Sequence, residues 1–449
     1  MSGKRLYFQT LGCPKNRVDS EVMLGALARD GYELVADRAD ADVMVVNTCS
    51  FIEASKVESI DAIMDLVGEK DSDQQKRVVV AGCFAQRYSD AIVDEIPEVD
   101  VIVGTGEYHR ITELLDAPVD ESGPTVAVGR PYYVHNTDTP RMITTLDGSG
   151  RSHMAYLKIA EGCSQRCTFC IIPKLRGKQR SRGIPDLVAE ARQLAGVGVR
   201  ELNLIAQDLT HYGSDLKDGT ELHSLLPALG EVNGVDWIRL LYCYPHNVTD
   251  ELVEVIATNP KVLPYIDIPL QHIDNALLMG MQRRTTEQVT TDLLRRLRSA
   301  VPEIVVRTTF IVGFPGETEQ HFDNLMEFVA EQRFDHVGVF TYSSEEGTKA
   351  ARMEDDVPAE LKLERQQRLM AMQREISAQR LELMVGREVD VLVEGVSEET
   401  DLLLQGRYWG QAPEVDGVTY ISEGYAEPGS IVRARVVQTG DYDLVTRLV

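Results

Sequence analysis

The sequence predicts an α/β protein of several domains: a parallel α/β sheet domain at the N-terminus, a partial (β/α)6 barrel in the middle and a small antiparallel β-barrel at the C-terminus. Three observations carry that prediction. The 449 residues exceed what one hydrophobic core usually organises. Short, continuously apolar runs alternate with helical stretches in two successive series, the pattern of parallel sheets buried on both faces. Near Met384 the helical periodicity stops, and short alternating strands separated by glycines replace it.

Residues 1–116 form the first domain. Arg5 to Thr10 reads as a strand and Arg17 to Arg29 as an amphipathic helix; Asp42 to Asn47 is a buried strand and Phe51 to Val67 a helix. Arg77 to Ala81 and Val99 to Val103 are further strands, each followed by a helical segment. Residues 117–150 are rich in Pro, Gly, Thr and Asp and read as a linker. Residues 151–383 form the second domain, with strands at Met154 to Ala160, Arg200 to Ala206, Trp237 to Tyr242, Tyr265 to Pro269, Ile304 to Val312 and His336 to Thr341. Helices such as Pro185 to Ala195 and Glu287 to Ser299 intervene, and six βα units close naturally as an incomplete barrel. This domain ends in a charged connector helix, with Leu369, Met372 and Ile376 at helical spacing to pack on the barrel. In residues 384–449, strands beginning at Glu388, Leu402, Ile431 and Asp443 are punctuated by Gly395, Gly406, Gly417, Gly429 and Gly440, which predicts an oligonucleotide-binding type of barrel.

Composition is globular, with 43% hydrophobic and 26% charged residues, but 46 basic against 71 acidic side chains give a net charge of −25. That balance argues against broad phosphate binding and fits a basic partner or a self-repelling surface. No apolar run approaches the roughly 18 residues of a membrane span. Met-Ser-Gly-Lys-Arg leads straight into a strand, so no signal peptide is expected either. The seven cysteines are an odd number, which in a large chain points to metal or redox chemistry in a reducing cytoplasm rather than to a disulfide framework.

Cys163, Cys167 and Cys170 form a C-x3-C-x2-C run just after the Met154 strand. Three thiolates this close suit an iron–sulfur cluster. A zinc site normally takes four protein ligands, and no fourth is nearby. On a four-iron cubane three thiolates leave one iron open to a small molecule. Cys13, Cys49 and Cys83 each follow a strand of the first domain within a few residues. Ligands gather at the carboxyl ends of strands in a parallel sheet, so these three are expected to meet in one crevice. Buried core cysteines are the plainer alternative.

Together with Phe169, the central run resembles the C-x3-C-x-aromatic-C signature of the radical S-adenosylmethionine (SAM) enzymes. The resemblance implies a [4Fe-4S] cluster on Cys163, Cys167 and Cys170 as the catalytic centre, with SAM chelated at the open iron. With the three N-terminal cysteines and a C-terminal barrel of TRAM type, the whole chain resembles the methylthiotransferases, which replace a C–H hydrogen by a methylthio group. That implies two [4Fe-4S] clusters, one SAM as methyl donor, another as source of the 5′-deoxyadenosyl radical, and an electron donor such as flavodoxin or ferredoxin.

Two branches of that family are open, one modifying an adenosine of transfer RNA and one an aspartate of the S-twelve protein of the small ribosomal subunit. Leu11-Gly-Cys-Pro-Lys-Asn-Arg-Val-Asp-Ser20 and Gly410-Gln-Ala-Pro-Glu-Val-Asp-Gly417 resemble the ribosomal-protein branch. Charge agrees without appeal to family. From Met384 to Val449 there are five arginines, no lysine and twelve acidic residues, a net of −7. An RNA-gripping barrel should be basic, whereas an acidic one complements a basic protein. A non-catalytic redox-sensing module is the remaining alternative.

Other residues face the same mouth in this reading. Val312-Gly-Phe-Pro-Gly-Glu317 follows a strand, and in the family Gly313 and Gly316 resemble the segment lining the SAM adenosine site. The Gly-Gly-Glu run common after the second barrel strand is replaced by Ile205-Ala-Gln-Asp208, making Gln207 a substitute contact for the SAM amino group. Arg239 and Arg307 are candidates for the SAM carboxylate or a substrate aspartate, with ion pairs as the alternative. His272 reads as a satisfied polar residue and Cys243 as core.

Overall fold

The computed structural model describes residues 4–73, 75–117, 123–143, 153–397 and 399–449. The chain divides into two units.

The first unit lies within residues 1–151, 156–165 and 170–190. Its sheet has six parallel strands in the order β2-β1-β3-β4-β5-β6. These are β1 (Arg5–Thr10), β2 (Glu33–Leu34), β3 (Val43–Thr48), β4 (Arg77–Gly82), β5 (Val101–Val103) and β6 (Thr125–Ala127). Every residue of β3 is buried, as a central parallel strand requires. Alternate residues serve opposite faces. Leu6, Val45, Val79 and Val101 pack on one side with Val22, Met23 and Leu27 of α1 (Pro14–Arg29) and Ile111 of α4 (Ile111–Asp116). Met44, Val46, Val78 and Ile102 pack on the other with Ile63 and Leu66 of α2 (Glu53–Ser72) and Phe84 and Ile92 of α3 (Cys83–Glu95).

The expected linker, residues 117–150, lies partly outside the described residues, and its described part is not all linker. Thr125–Ala127 pairs with β5 and completes the sheet. Three residues between glycine and proline are too short to show a strand period, so composition masked this edge strand. The unit continues through the end of β7 (Met154–Lys158), a hairpin of β8 (Ala160–Glu161) with β9 (Arg180–Ser181), and the helices α5 (Ile172–Arg176) and α6 (Ile184–Gly196), up to Glu190.

The second unit lies within residues 152–155, 166–169 and 191–449. Its sheet runs β14-β13-β12-β11-β10-β7, entered by β7 through Met154 and Ala155, and neighbouring strands from β10 to β14 pair in parallel, as a partial barrel requires. The strands are β10 (Glu201–Ile205), β11 (Trp237–Leu240), β12 (Val262–Gln271), β13 (Val305–Val312) and β14 (His336–Thr341). Helices α7 (Leu222–Gly230), α8 (Asp250–Thr258), α9 (Asn275–Gly280), α10 (Glu287–Ala300) and α11 (Glu319–Gln332) connect them. Threonine side chains cap three of these helices, Thr249, Thr286 and Thr318 each accepting a backbone N–H of the first turn.

The connector is one helix, α12 (Ala359–Glu382), lying along β14 with Gln366 Nε2 donating to Val339 O at 2.7 Å and Gln373 Nε2 to Phe334 O at 2.9 Å. The last domain is a closed barrel, ordered β15-β16-β17-β19-β18: β15 (Glu388–Val396), β16 (Leu404–Tyr408), β17 (Thr419–Glu423), β18 (Ile431–Thr439) and β19 (Leu444–Leu448). It departs from the expected antiparallel pattern in one pair, since β17 and β19 run parallel where the barrel closes.

Candidate active site

Cys13, Cys49 and Cys83 all sit at the carboxyl ends of β1, β3 and β4, which are consecutive neighbours in the sheet. Cys13 precedes α1, Cys49 follows β3 directly, and Cys83 opens α3. Two glycines make the close approach possible. Gly12 has φ +88°, and a Cβ there would lie 2.8 Å from Cys49 Cβ and 3.0 Å from its Sγ. Gly82 has φ +96° and would collide with Asn47 Oδ1 and the Thr48 carbonyl.

Asn16 staples the three ends. Its Nδ2 donates to Leu11 O at 3.0 Å and Thr48 O at 2.9 Å, and its Oδ1 accepts from Cys83 Sγ at 3.7 Å. Ser59 Oγ accepts from Cys49 N at 3.0 Å and donates to Cys49 O at 2.8 Å, while Ser50 Oγ donates to Cys83 O at 3.1 Å. Burial raises the Cys49 thiol, and neighbouring Cys13 adds to it. Burial likewise pushes Cys83 up to about 12, opposed by Arg176 and reinforced by Cys49 and Cys13. Cys49 and Cys83 therefore need a bound cation to become thiolate ligands.

Among the described residues no three His, Cys, Asp or Glu side chains are set to grip a single metal ion. A cubane makes a different demand, since each thiolate binds its own iron. The donor set of three soft sulfurs at adjacent strand ends fits such a cluster.

In the central motif Gly162 has φ +83°, and a Cβ there would strike the Lys178 carbonyl. Cys163 N donates to Gly177 O at 3.0 Å. Cys163 is buried and Cys170 half-buried; both belong to the first unit. Beside them lies a buried ion network missed by sequence reasoning. Lys158 Nζ bonds Asp19 and, at 2.7 Å, Glu161, while Arg176 Nη1 bonds the same two carboxylates at 2.8 and 3.0 Å. Its one sequence signal is a cation, Arg176, close after a three-cysteine run.

Cys167 and Phe169 belong to the second unit and are anchored there. Arg283, also missed by sequence, donates to Cys167 Sγ at 3.7 Å and to the Pro269 carbonyl at the end of β12, with its guanidinium 3.8 Å above the Tyr244 ring. Thr168 N donates to Met281 O at 3.0 Å and its hydroxyl to Gly280 O at 2.9 Å. Phe169 packs with Leu277, Met281, Phe314, Tyr342 and Ala350. Phe314 belongs to the Gly313-Phe-Pro-Gly316 turn after β13, so the motif's aromatic residue and that turn share one apolar contact.

Gly313 and Gly316 have φ +73° and +85°. Gly313 N donates to Glu317 Oε2 at 2.9 Å, and Glu317 Oε1 accepts from Arg365 at 2.8 Å. His272 is fully buried; its Nδ1 accepts from Asp274 N at 3.0 Å and its Nε2 lies 3.6 Å from Glu317. Gln207 sits just past β10, at the same carboxyl end, and is partly buried. Cys243 is fully buried, as a core residue should be.

Arg239 and Arg307 both make ion pairs, and each also reaches the C-terminal barrel. Arg239 is fully buried, donates to Glu201 at 2.8 Å and to Trp409 O at 2.7 Å, and lies over Tyr265. Arg307 pairs with Asp267 and Asp416, both at 3.3 Å. Asp416 also accepts from Tyr265 at 2.8 Å, and the Gly410 carbonyl lies 2.9 Å from His336 Nε2. The segment from Trp409 to Asp416 thus takes one contact from each arginine, while Arg239 Nη2 and Arg307 Nε make no hydrogen bond. Sequence placed them on barrel strands correctly but could not see which loop they would meet.

Three family models match: "Uncharacterized protein family UPF0004" over residues 5–104, "Radical SAM superfamily" over 157–329 and "TRAM domain" over 385–449. The chain is 52% identical over 445 residues to "Ribosomal protein uS12 methylthiotransferase RimO" of Anaeromyxobacter sp. (strain K), covering 99% of this chain and 93% of that protein. The protein of the same name from Myxococcus xanthus is 51% identical over 446 residues, covering 99% and 92%. In three dimensions the chain resembles the radical S-adenosylmethionine methyltransferase TsrM of Kitasatospora setae, with TM-score 0.52, 17% identity and coverage of 76% and 75%. It also resembles the cobalamin-dependent radical enzyme OxsB, with TM-score 0.53, 13% identity and coverage of 78% and 54%. At such identities these two speak for the fold alone.

Proposed function

The chain belongs to the RimO family of ribosomal protein uS12 methylthiotransferases, and from that premise we propose that it is the enzyme placing a methylthio group on the β-carbon of an aspartate in uS12. It is a radical SAM methylthiotransferase. The observation that carries the finer reading is that Cys13, Cys49 and Cys83 sit at three adjacent strand ends in a chain that also carries a separate three-cysteine motif.

An unactivated C–H bond is not acidic enough for a side-chain base, so the reaction needs a radical generator and a sulfur source; two [4Fe-4S] clusters and SAM, when bound, supply both. The chain's own part is to hold them. Cys163, Cys167 and Cys170 present thiolates for one cluster, and Cys13, Cys49 and Cys83 for the other. Phe169 and Phe314 fix the motif loop against the turn after β13. An electron donor of flavodoxin or ferredoxin type would reduce the first cluster.

Charge supports a protein substrate over RNA. In the C-terminal barrel Arg433 and Arg435 are neutralised by Glu388 and Asp390, and Arg407 is buried between Glu201 and Glu394. Little cationic surface is left for phosphate. Among the described residues no helix is long and apolar enough to cross a membrane, and we place the reaction in the cytoplasm with the ribosomal protein.

The test is anaerobic reconstitution with SAM, reductant and sulfide, followed by mass measurement of uS12. Gain of one methylthio group is expected; an unchanged mass would sink the assignment. Iron content should be about eight per chain and fall to about four in Cys163→Ala/Cys167→Ala/Cys170→Ala, as two cubanes on two sets of thiolates require. A fall from about four to none would remove the N-terminal cluster from the mechanism.

A further inference from the structure

Arg176 follows Cys170 by six positions, at the end of α5, yet its side chain is only 2% exposed. A buried arginine needs partners for its forked donors, and here they come from both cysteine motifs. Its Nη2 donates to Asn16 Oδ1, the oxygen that also accepts from Cys83 Sγ. Asn16 stands three positions after Cys13 and is bonded to the ends of β1 and β3. Its Nη1 donates to Asp19 on α1 and to Glu161, two positions before Cys163. Ile171 and Leu175, around the same helix, pack against Cys83.

The charges nearest this point decide what the arginine is for. Lys158, Arg176, Asp19 and Glu161 together are neutral, so the network neither lacks nor carries excess charge by itself. Burial works against the Arg176 charge, but Cys83, Glu161, Asp19 and Cys13 outweigh it and hold the guanidinium protonated. Nη1 of the cation meets the carboxylates, and Nη2 meets the Asn16 oxygen that Cys83 Sγ also reaches.

We infer that Arg176 is a positioning residue that holds the two cysteine motifs in one register and sets a fixed positive charge beside anionic sulfur at the Cys13, Cys49 and Cys83 site. The inference rests on the reading that those three cysteines hold a cluster. A lysine would keep the charge but could not span Asn16, Asp19 and Glu161 from a single point.

The experiment isolates the N-terminal centre with Cys163→Ala/Cys167→Ala/Cys170→Ala and compares Arg176 with Arg176→Lys and Arg176→Gln. Iron content, circular dichroism and an EPR-monitored redox titration are read on each reconstituted protein. Reduction adds negative charge, so losing the nearby cation should move the midpoint potential negative in Arg176→Gln, with Arg176→Lys close to the parent. Arg176→Gln/Asp19→Asn keeps the buried set neutral and should show the same shift if the single variant does not fold. Iron uptake lost in the glutamine variant but kept in the lysine variant also supports the inference. Equal potentials in all the variants overturn it; equal iron loss in the lysine and glutamine proteins, with circular dichroism unchanged, overturns its charge half and supports its register half. If the parent itself takes up no iron, the cluster reading fails instead, and the two failures are told apart.

Discussion

Glu201 Oε2 accepts a hydrogen bond from Arg407 at 2.6 Å across 206 positions of sequence, joining the partial barrel to the C-terminal barrel through two fully buried groups. The other carboxylate oxygen is held by Arg239 at 2.8 Å. Arg407→Ala leaves a buried carboxylate with one partner in place of two, and loss of one member of such a pair typically costs about 3–5 kcal/mol. The expected result is a lower urea midpoint and early proteolysis between α12 and β15. An unchanged midpoint would mean the C-terminal barrel is held by its apolar contacts alone.

Acid should weaken the fold in two stages. Burial drives His272 down to about 3 and His135 down to about 4, from 6.5 when unfolded. Their contribution is complete above pH 6.5 and is lost as pH falls toward those values, at about 1.4 kcal/mol per pH unit for each. The second stage belongs to Glu190 and Glu201. Burial raises both carboxyls, but Arg182 with His135 and Arg141 overcomes it at Glu190, as Arg407 with Arg239 does at Glu201, so both lie below 4.5. Their stabilisation is present above pH 4.5 and disappears as pH falls through the lowered values. Urea midpoints at pH 7.5, 5.5 and 4 measure both stages, and His135→Gln/His272→Gln should flatten only the first.

These groups mark the limit of what sequence discloses. The strand-end positions of Cys13, Cys49 and Cys83 were legible because cysteine is scarce and strand ends can be found from apolar periodicity. Arg176 and Arg283 were not, since a charged residue in a polar loop looks solvated until the fold buries it. Arg239 and Arg307 were placed on the right strands, but the contacts each makes with the segment Trp409 to Asp416, over a hundred residues later, carry no local signal. Thr125–Ala127 stayed hidden because three residues carry no period.

Gly313 and Gly316 offer a matched pair. Both have positive φ, so alanine at either carries a left-handed penalty of about 1–2 kcal/mol. A Cβ at Gly316 meets nothing within 4 Å, whereas one at Gly313 strikes Lys362 Cγ, and Lys362 is tethered to Asp355. Gly313→Ala should therefore destabilise more than Gly316→Ala and also raise the KM for SAM, because Phe314 beside it packs on Phe169. Equal losses in both variants would show that backbone conformation, not the space near Lys362, is what matters at this turn.

Arg283 tests how the motif loop is held. It links Cys167 to the end of β12 and lies over the Tyr244 ring, so one side chain fixes the loop through a sulfur contact, a carbonyl contact and a ring. Residues that orient a metal ligand typically contribute 10–100-fold in metal affinity or activity, and Arg283→Leu should reduce the rate of 5′-deoxyadenosine formation by roughly that factor. Arg283→Lys keeps the charge near Cys167 but loses the planar contact with Tyr244, so its rate should fall between the two. Iron content separates the causes. If Arg283→Leu binds its full iron yet cleaves SAM slowly, the arginine orients the loop; if iron is lost in proportion to rate, it secures the ligand itself. A rate equal to wild type would leave Thr168 and Phe169 as the anchors that position Cys167.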